Sequence, residues 1–347
     1  MPAAKIYYDS DADLSAVEGK HYVFLGFGNQ GAAQAQNLRD SGIPNDKILI
    51  ANREDHYAED AKSKGFTVEH DFSKAAAVAD VLFLLIPDQV QPRVFNTQFA
   101  PNLKESVTIV IASGYNVFYK LLNFSPKQDV VMAAPRMIGS SVRTLYVKGS
   151  GFPCFVSVEQ DGTGNAHAIS LAIARLIGAT KTGAIASSAR EETAMDLFAE
   201  QALWPTIIMA FREAFSVLKE AGCSDEALVY EMWMSREPAE IFERAADEGF
   251  IEQLKHHSPT SQFGQLSGAL SLDGKSTKEW FQHILHNQAC VLNGKFCKEF
   301  SKIEDDLEKE GPENPLNELY RRSEASELGQ AEKRVRQRLA ESAAKSS

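Results

Sequence analysis

The stretch "FLGFGNQGAAQAQNLRDSG", residues 24–42, joins an apolar strand to a helix-like run through three closely spaced glycines. Gly26, Gly28 and Gly31 form the pattern G-x-G-x-x-G directly after the strand and directly before the helix. The first glycine permits a tight turn, the second lets the backbone approach a pyrophosphate, and the third lets the helix pack close to the strand. The first N–H groups of the helix then face the phosphates. The stretch therefore predicts a dinucleotide-binding turn.

The end of the second strand indicates which dinucleotide is bound. The run "KILIAN" ends at Asn52, and Arg53 follows it. NADP sites favour an arginine here for the 2′-phosphate, whereas NAD sites usually place an acid here for the ribose hydroxyl. Glu54 and Asp55 come next; they repel a phosphate if they point inward, and they pair with Arg53 if it lies on the surface. We predict NADPH in preference to NADH. The predicted cofactor-binding residues are Gly26, Phe27, Gly28, Asn29, Gln30, Gly31, Asn52, Arg53, Pro87 and Ser113.

Six short apolar runs alternate with helix-length stretches between residues 21 and 158. They read "YVFLGF", "KILIAN", "DVLFLLIP", "SVTIVIAS", "QDVVMAAP" and "PCFVSV". Runs that are apolar at successive positions are typical of strands buried on both faces of a parallel sheet. The pattern predicts an α/β fold, with a Rossmann-type doubly wound parallel sheet in a dinucleotide-binding domain over residues 1–184.

After about residue 185 the strand pattern ends and helical patterns follow. The long patterns cover residues 191–222, 225–249 and 276–300. Pro205 and Pro238 interrupt the first two, because proline removes a helical hydrogen bond. We predict an all-helical substrate domain over residues 185–330 and a polar C-terminal tail over residues 331–347.

The composition narrows the class of protein. The chain has 347 residues, is 44% hydrophobic and 24% charged, and carries a formal net charge of −11. The negative charge argues against a nucleic-acid or anionic-membrane partner, and no apolar run approaches the roughly 18 residues of a membrane span. Scattered cysteines without metal-site spacing indicate reduced thiols; they are Cys154, Cys223, Cys290 and Cys297. We expect a cytoplasmic protein that acts on a small molecule.

Several motifs in the same order resemble the ketol-acid reductoisomerases, NADPH enzymes of branched-chain amino-acid biosynthesis. Besides the glycine turn, they read "DVLFLLIPD", "APNLK", "VVMAAPRMIG", "REETAMDLFAEQ" and "DGKSTKEW", and they extend over most of the chain. The resemblance implies a Rossmann-type domain and an interlocked helical domain that forms a homodimer. It also implies that two Mg²⁺ ions promote an alkyl migration in an acetohydroxy acid, after which NADPH reduces the resulting 2-keto acid.

Carboxylates determine whether such metal ions bind, because Mg²⁺ prefers hard oxygen ligands. Asp196 and Glu200 are four residues apart, so both lie on one face of their helix. On the next helix the family has Glu-x-x-x-Glu; Glu231 matches the first acid, whereas Ser235 stands at the second. We expect no metal, and if one is bound, Asp196, Glu200 and Glu231 as its ligands.

Other departures from the family pattern concern the same pocket. Ser113 and Ser140 stand where the family has histidines, Arg136 where it has a lysine, and Gln262 where it has a glutamate. An arginine does not replace a lysine freely, because a planar fork replaces a point charge. The substitutions together predict a pocket that does not hold paired Mg²⁺ ions.

These departures lead to the hypothesis of an NAD(P)H-dependent reductase that has lost the alkyl migration. The expected substrate is a small carboxylate-bearing C=N or C=O compound, either a cyclic 2-imino acid or a 2-oxo acid. Asp196, Glu200 and Glu231 are expected to supply a proton or to stabilise a cationic nitrogen. Arg136 or Ser258 is expected to bind the carboxylate. The alternatives are a genuine Mg²⁺-dependent ketol-acid reductoisomerase and a non-catalytic NADPH-binding sensor.

Overall fold

The computed structural model of the chain describes residues 3–272, 274–287, 291–309 and 311–346. Cys290, and Asp273 of the motif "DGKSTKEW", lie outside the described residues. The chain divides into two compact units, Met1–Asp196 and Leu197–Ser347. The first unit contains the sheet and the second consists of helices.

Nine strands form one mixed sheet in the described part of the first unit. They are β1 (Ile6–Tyr7), β2 (Tyr22–Leu25), β3 (Ile48–Ala51), β4 (Thr67–Glu69), β5 (Val81–Leu84), β6 (Thr108–Ile111), β7 (Asp129–Pro135), β8 (Cys154–Gln160) and β9 (Ala184–Ala186). Their order is β1-β9-β8-β7-β6-β5-β2-β3-β4. The strands from β2 to β7 are mutually parallel, as in a doubly wound fold.

The predicted Rossmann-type sheet is confirmed, and all six apolar runs form strands. The sheet is mixed and not wholly parallel, because β8 lies antiparallel to β7 and β1 lies antiparallel to β9. The sequence pattern missed β1, β4 and β9. These strands have only two or three residues each and are partly exposed, so they lack a continuous apolar run.

Helices cover both faces of the sheet. Those that begin in the first unit are α1 (Asn29–Asp40), α2 (His56–Ser63), α3 (Phe72–Val78), α4 (Gln91–Val94), α5 (Tyr115–Phe118), α6 (Gly139–Val147), α7 (Ala166–Ile177) and α8 (Ala189–Phe198). Phe24 and Phe83 stack on one face with ring centroids 4.2 Å apart, while their neighbours Leu25 and Leu84 belong to the core on the other face. Burial on both faces explains why the central strands are apolar at every position.

The glycine turn is built by two close backbone approaches. Gly26 has φ 101°, a left-handed conformation that favours glycine, and a Cβ atom on it would lie 2.9 Å from Cγ2 of Ile86. A Cβ atom on Gly31 would lie only 2.2 Å from the carbonyl oxygen of Gly26. The start of α1 therefore lies directly against the end of β2, as the glycine pattern predicts.

The second half of the chain is helical, as predicted. Its helices are α9 (Trp204–Glu220), α10 (Asp225–Val229), α11 (Glu237–Glu248), α12 (Pro259–Ser271), α13 (Lys275–Gln282), α14 (Lys295–Phe300), α15 (Pro315–Glu324) and α16 (Glu327–Ser346). Phe215, Leu228 and Val229 form a small core with Ala331 and Val335 of α16. Helix α16 thus carries buried residues into the stretch predicted as a polar tail. Among the described residues, no helix is both long and apolar enough to cross a membrane.

The breaks in the long helical patterns differ from those predicted. Pro238 stands at the second position of α11, where the missing N–H group costs no hydrogen bond, whereas Pro205 lies just after a π-helical turn in a helical run that continues from α8 into α9. The first break is a π-helical turn at Ala199–Leu203. Before α11 there are a second π-helical turn, at Tyr230–Met234, and Arg236 with φ 68°. Pro238 therefore begins a new helix, whereas Pro205 follows a local change of helix type.

Replacing Gly31 by alanine is expected to lower the free energy of unfolding by about 2 kcal/mol or more, because the new Cβ atom would overlap the Gly26 carbonyl. Gly268 is the matched control, since it lies inside α12 and a Cβ atom added to it would have no neighbour within 4 Å. Gly268→Ala should raise stability by about 0.5–1 kcal/mol through helix propensity. Thermal unfolding of both variants measures this, and equal melting of Gly31→Ala and wild type would contradict it.

Candidate active site at the carboxyl edge of the sheet

The predicted site residues of the first unit follow the carboxyl ends of neighbouring parallel strands. β2 leads into the glycine turn, β5 into Pro87, β6 into Ser113 and β7 into Arg136. The four strands are adjacent in the order β7-β6-β5-β2. Strand order reverses beside β2, and ligands of open α/β sheets bind in the crevice at such a point. The sheet topology therefore brings these four segments to one edge.

The backbone of the glycine turn is open where a pyrophosphate would approach. Gly28 is the N-cap of α1 and provides no side-chain cap for the first N–H groups of the helix. A Cβ atom on Gly28 would have no neighbour within 4 Å. Phe27 is buried, and its N–H donates to Oδ1 of Asn52 at 3.3 Å. These free helix N–H groups and the open space fit the phosphates of a dinucleotide.

Asn52 and Asp55 form a compact hydrogen-bonded corner after β3. Nδ2 of Asn52 donates to the Arg53 carbonyl oxygen at 2.9 Å and to Oδ1 of Asp55 at 2.8 Å. The Asp55 carboxylate also accepts the N–H groups of Tyr57 and Ala58 and caps α2. Nε of Arg53 donates to Oδ2 of Asp55 at 2.8 Å, although 82% of the Arg53 side chain is exposed. Asn52 therefore has a structural role here, and Arg53 remains at the surface.

The charge of Asp55 is stabilised by this corner. Burial tends to raise the pKa of the Asp55 carboxyl, but hydrogen bonds from Arg53 and from the N–H groups of Ala58 and Tyr57 outweigh it. Its pKa consequently lies below the usual range. The acid that would repel a 2′-phosphate is thus paired with the arginine that would attract one.

Hydrogen bonds join the loop that follows β5 to the one that follows β6. Nδ2 of Asn116 donates to the carbonyl oxygen of Asp88 at 2.9 Å, and Asn116 is buried. The carbonyl oxygen of Pro87 accepts the N–H of Val90 at 2.9 Å, which closes the turn after β5. Oγ of Ser113 accepts a 3.3 Å hydrogen bond from the N–H of Tyr115 at the start of α5. Pro87 and Ser113 therefore shape two fixed loops at the predicted cofactor edge.

A cation between two carboxylates lies at the end of β7. Nη1 of Arg136 is 2.5 Å from Oε1 of Glu192, and Nη2 is 2.7 Å from Oδ1 of Asp196. Oε2 of Glu192 accepts the N–H of Gly114 at 2.8 Å. Glu192 is buried, whereas the side chain of Asp196 is 44% exposed. Glu192 thus has partners on both oxygens, while Asp196 reaches solvent.

The electrostatics keep Arg136 charged. Burial tends to lower the pKa of Arg136, but the carboxylates of Asp196 and Glu192 raise it above its ordinary value. Burial raises the pKa of Glu192; the N–H of Gly114 and the guanidinium oppose this rise, and the charge of Asp196 adds to it. With both acids ionised, the cluster has one excess negative charge. Two nitrogens of Arg136 are committed to these acids, so the structure does not favour its predicted role as the binder of a substrate carboxylate.

Glu192 is the functional candidate that the sequence analysis missed. It lies four residues before Asp196, the same spacing that drew attention to Asp196 and Glu200. Its neighbour Glu191 is exposed and bonds Ser187, so the two adjacent glutamates face different surroundings. The four-residue spacing from Asp196 could have identified Glu192. The sequence does not show that Glu192 is buried while Glu191 is exposed.

The second unit holds the other predicted site residues. Glu200 lies in the π-helical turn Ala199–Leu203 and Glu231 in the π-helical turn Tyr230–Met234. Such turns occur frequently at functional sites. Oγ of Ser258 accepts the N–H of Ser261 at 3.3 Å and caps α12, which is a structural role. Within the described ranges, no group of three or more His, Cys, Asp or Glu side chains is arranged to hold a metal ion.

The fold and the glycine turn define a protein with a Rossmann-type dinucleotide-binding domain, and comparison with known proteins identifies its family. Residues 16–183 match the family model for the acetohydroxy acid isomeroreductase NADPH-binding domain, and residues 190–341 match that for the ketol-acid reductoisomerase C-terminal domain. The chain belongs to the ketol-acid reductoisomerase family.

Individual relatives agree with this assignment. The chain is 37% identical over 299 residues to the ketol-acid reductoisomerase (NADP(+)) of Sulfurisphaera tokodaii, covering 86% of this chain and 87% of the relative. It is 39% identical over 298 residues to that of Pyrobaculum calidifontis, covering 86% and 88%. A solved NADH-preferring ketol-acid reductoisomerase from an uncultured archaeon has a TM-score of 0.84 at 29% identity, covering 96% of this chain and 98% of that one.

These matches overturn the hypothesis of a reductase without alkyl migration. Relatives named as ketol-acid reductoisomerases share 37–39% identity over 86% of the chain, and this finding favours the alternative, a genuine reductoisomerase. The hypothesis gave too much weight to a few substitutions. In the structure, Arg136 at the lysine position still provides a cation, and its planar fork contacts Glu192 and Asp196 at once.

Glu192→Gln is expected to change how stability depends on pH. Because the folded-state pKa of Glu192 is raised, its contribution to stability is full below its unfolded pKa of about 4.3 and is lost as pH rises through the folded value. The variant lacks this loss, so its melting temperature relative to wild type should increase from pH 5 to pH 8. Glu191→Gln, at the exposed neighbouring position, is the comparison variant. If the melting temperature of Glu192→Gln relative to wild type stays constant or decreases as pH rises, the pKa of Glu192 is not raised in the folded protein.

Proposed function

We propose that this chain catalyses the ketol-acid reductoisomerase reaction, an alkyl migration in a 2-acetohydroxy acid followed by NADPH-dependent reduction of the 2-keto acid. The observation that carries the proposal is the 37–39% identity to enzymes of that name over 86% of the chain. The geometry supports it, because a glycine turn and an acidic cluster lie at the same carboxyl edge of the sheet.

The proposed Mg²⁺ ligands are Asp196, Glu200 and Glu231. Carboxylate oxygens are the ligands that Mg²⁺ prefers, so each of these side chains is chemically suited to the ion, although within the described ranges no three such side chains are grouped to hold one. Asp196 gives Oδ1 to Arg136 and, with 44% of its side chain exposed, keeps a carboxylate oxygen for a cation. Glu192 is an unsuitable ligand, because both of its oxygens already accept hydrogen bonds from Gly114 and Arg136.

The residues of the chain bind and orient the reactants. When bound, NADPH supplies a hydride and Mg²⁺ supplies Lewis acidity toward substrate oxygens. The N–H groups at the start of α1 bind the pyrophosphate. Arg136 holds Asp196 in place through Nη2 and Glu192 through Nη1. Glu192 in turn fixes the N–H of Gly114 at the end of β6, so the groups beside the nicotinamide are held before the substrate arrives.

NADPH is the proposed cofactor, and Arg53 its specificity residue. The two relatives described above are named as NADP(+) enzymes, although the solved relative prefers NADH. Arg53 uses Nε for Asp55 and has an exposed guanidinium, which leaves its terminal nitrogens for a 2′-phosphate. The contact with Arg53 partly compensates the charge of Asp55 and so reduces its repulsion of the phosphate.

A homodimer is proposed through the second unit. Many large apolar side chains of this unit are exposed, among them Ile208, Phe263, Leu270 and Leu272. Monomeric proteins rarely leave such side chains in contiguous patches, and the family resemblance implies a helical dimer domain. A second copy of the chain is the proposed partner.

Arg53→Gln is expected to raise the KM for NADPH about tenfold or more, because a charge-assisted contact with the phosphate is lost. The KM for NADH should not rise. Lys62→Gln is the matched control, since Lys62 lies on α2, is exposed, and pairs with Glu59. Initial rates with both cofactors measure the effect. Equal KM increases for NADPH and NADH would rule out a role in specificity.

The reaction itself is tested with 2-acetolactate, Mg²⁺ and NADPH. We expect NADPH oxidation with formation of the dihydroxy acid, and a loss of about a hundredfold in kcat for Asp196→Asn. Glu191→Gln, five residues earlier on α8 and exposed, should retain wild-type activity. In a separate assay, the enzyme is given the 2-keto acid that the alkyl migration would form, so that only the reduction step is measured. Turnover of that keto acid with none of 2-acetolactate would disprove the proposed function.

A further inference from the structure

The side chain of Gln30 joins the glycine turn to the segment that carries Arg136. Its amide Nε2 donates to the carbonyl oxygen of Met137 at 2.9 Å, and Met137 directly follows Arg136 in sequence. Gln30 was predicted to bind the cofactor. One N–H of its side-chain amide is used within the protein, and its backbone lies at the start of α1.

A second glutamine fixes the orientation of this contact. Nε2 of Gln34 donates to Oε1 of Gln30 at 3.2 Å, and Gln34 is completely buried. Because the oxygen of Gln30 is used by this donor, its NH₂ group points to the Met137 carbonyl. The two glutamines lie one turn apart on α1, so the direction of the hydrogen bond is set by the helix.

The same two segments also meet through their backbones. A Cβ atom on Gly139 would lie 2.0 Å from the carbonyl oxygen of Asn29 and 2.9 Å from the nitrogen of Gln30. The start of α6 therefore lies directly against the start of α1. Between these two contacts, the segment 136–139 has little freedom to move independently of the glycine turn. Arg136, at its beginning, is itself bound to Glu192 and Asp196.

We propose that Gln30 is a positioning residue that couples dinucleotide binding at the glycine turn to the Arg136–Glu192–Asp196 cluster. A bound pyrophosphate orders the glycine turn. The Gln30–Met137 hydrogen bond then restricts residues 136–139 as well. Arg136 then holds Asp196 in its working position. All of these residues belong to the first unit. The catalytic consequence rests on the proposed function, whereas the coupling itself does not.

Hydrogen exchange measured with and without NADPH tests the coupling directly. In the wild type, NADPH is expected to slow exchange at residues 26–31 and also at residues 136–142. In Gln30→Ala, the protection of 26–31 should remain and that of 136–142 should be lost. Gln36→Ala is the matched control, because Gln36 lies on the same helix and bonds only the carbonyl oxygen of Ala32 within it. Protection of 136–142 that persists in Gln30→Ala would overturn the proposal.

Two further variants separate the hydrogen bond from the packing. Gln30→Glu keeps the shape but places an acceptor against the Met137 carbonyl, so it should lose the coupling as fully as Gln30→Ala. Gln34→Leu keeps Gln30 and removes its orienting partner, so partial loss is expected, and this variant provides the test if Gln30→Ala does not fold. Full protection of 136–142 in both would contradict the proposal.

Kinetics give a second readout. In Gln30→Ala, kcat should fall roughly 10- to 100-fold, because small misplacements of reacting groups have effects of that size, while the Kd for NADPH changes less than about threefold. A change in Kd alone would show that Gln30 acts only on cofactor binding and would refute the coupling. If the wild type has no reductoisomerase activity, the exchange result still decides the coupling, so the two failures are distinguishable.

Discussion

The buried carboxylate of Glu192 is the interaction on which the site depends. One of its oxygens accepts a hydrogen bond from the Gly114 N–H at the end of β6, and the other accepts one from Arg136 at the end of β7. A charge this deeply buried is tolerated only with good hydrogen bonds on every side. Two neighbouring strand ends and α8 are thereby held at fixed distances. Asp196 is oriented by its hydrogen bond from Arg136, and its side chain remains accessible to solvent.

Much of the fold could be predicted from the sequence, because its signals are local. Strands β2, β3, β5, β6, β7 and β8 are apolar at successive positions since both faces of the sheet are covered. The glycine turn could also be predicted from the sequence, because close backbone contacts require glycine at positions 26 and 31. The short strand β4 was missed, since its three residues are exposed or half-buried and do not form a continuous apolar run.

The site was harder to predict because its contacts are distant in sequence. Arg136 meets Glu192 and Asp196 across 56 and 60 residues, and no local pattern reveals which acids it pairs with. Its assignment to a substrate carboxylate treated it as an isolated cation. Ser258 was chosen from a family motif, whereas its hydroxyl oxygen caps α12. The inferred loss of alkyl migration was a similar error, since each substitution was judged without the partners that surround it.

The corner at Asp55 separates helix capping from the contact that bears on cofactor preference. Its carboxylate accepts four hydrogen bonds, from two backbone N–H groups, Asn52 and Arg53, and only the last comes from a largely solvent-exposed side chain. An acid at this strand end is what an NAD site presents to the ribose hydroxyls. Loss of the Arg53 side chain would leave Oδ2 of Asp55 without that donor, while the three hydrogen bonds to Oδ1 remain. The cap of α2 and the contact with Arg53 thus use different oxygens of one carboxylate, so the arginine can change without loss of the cap.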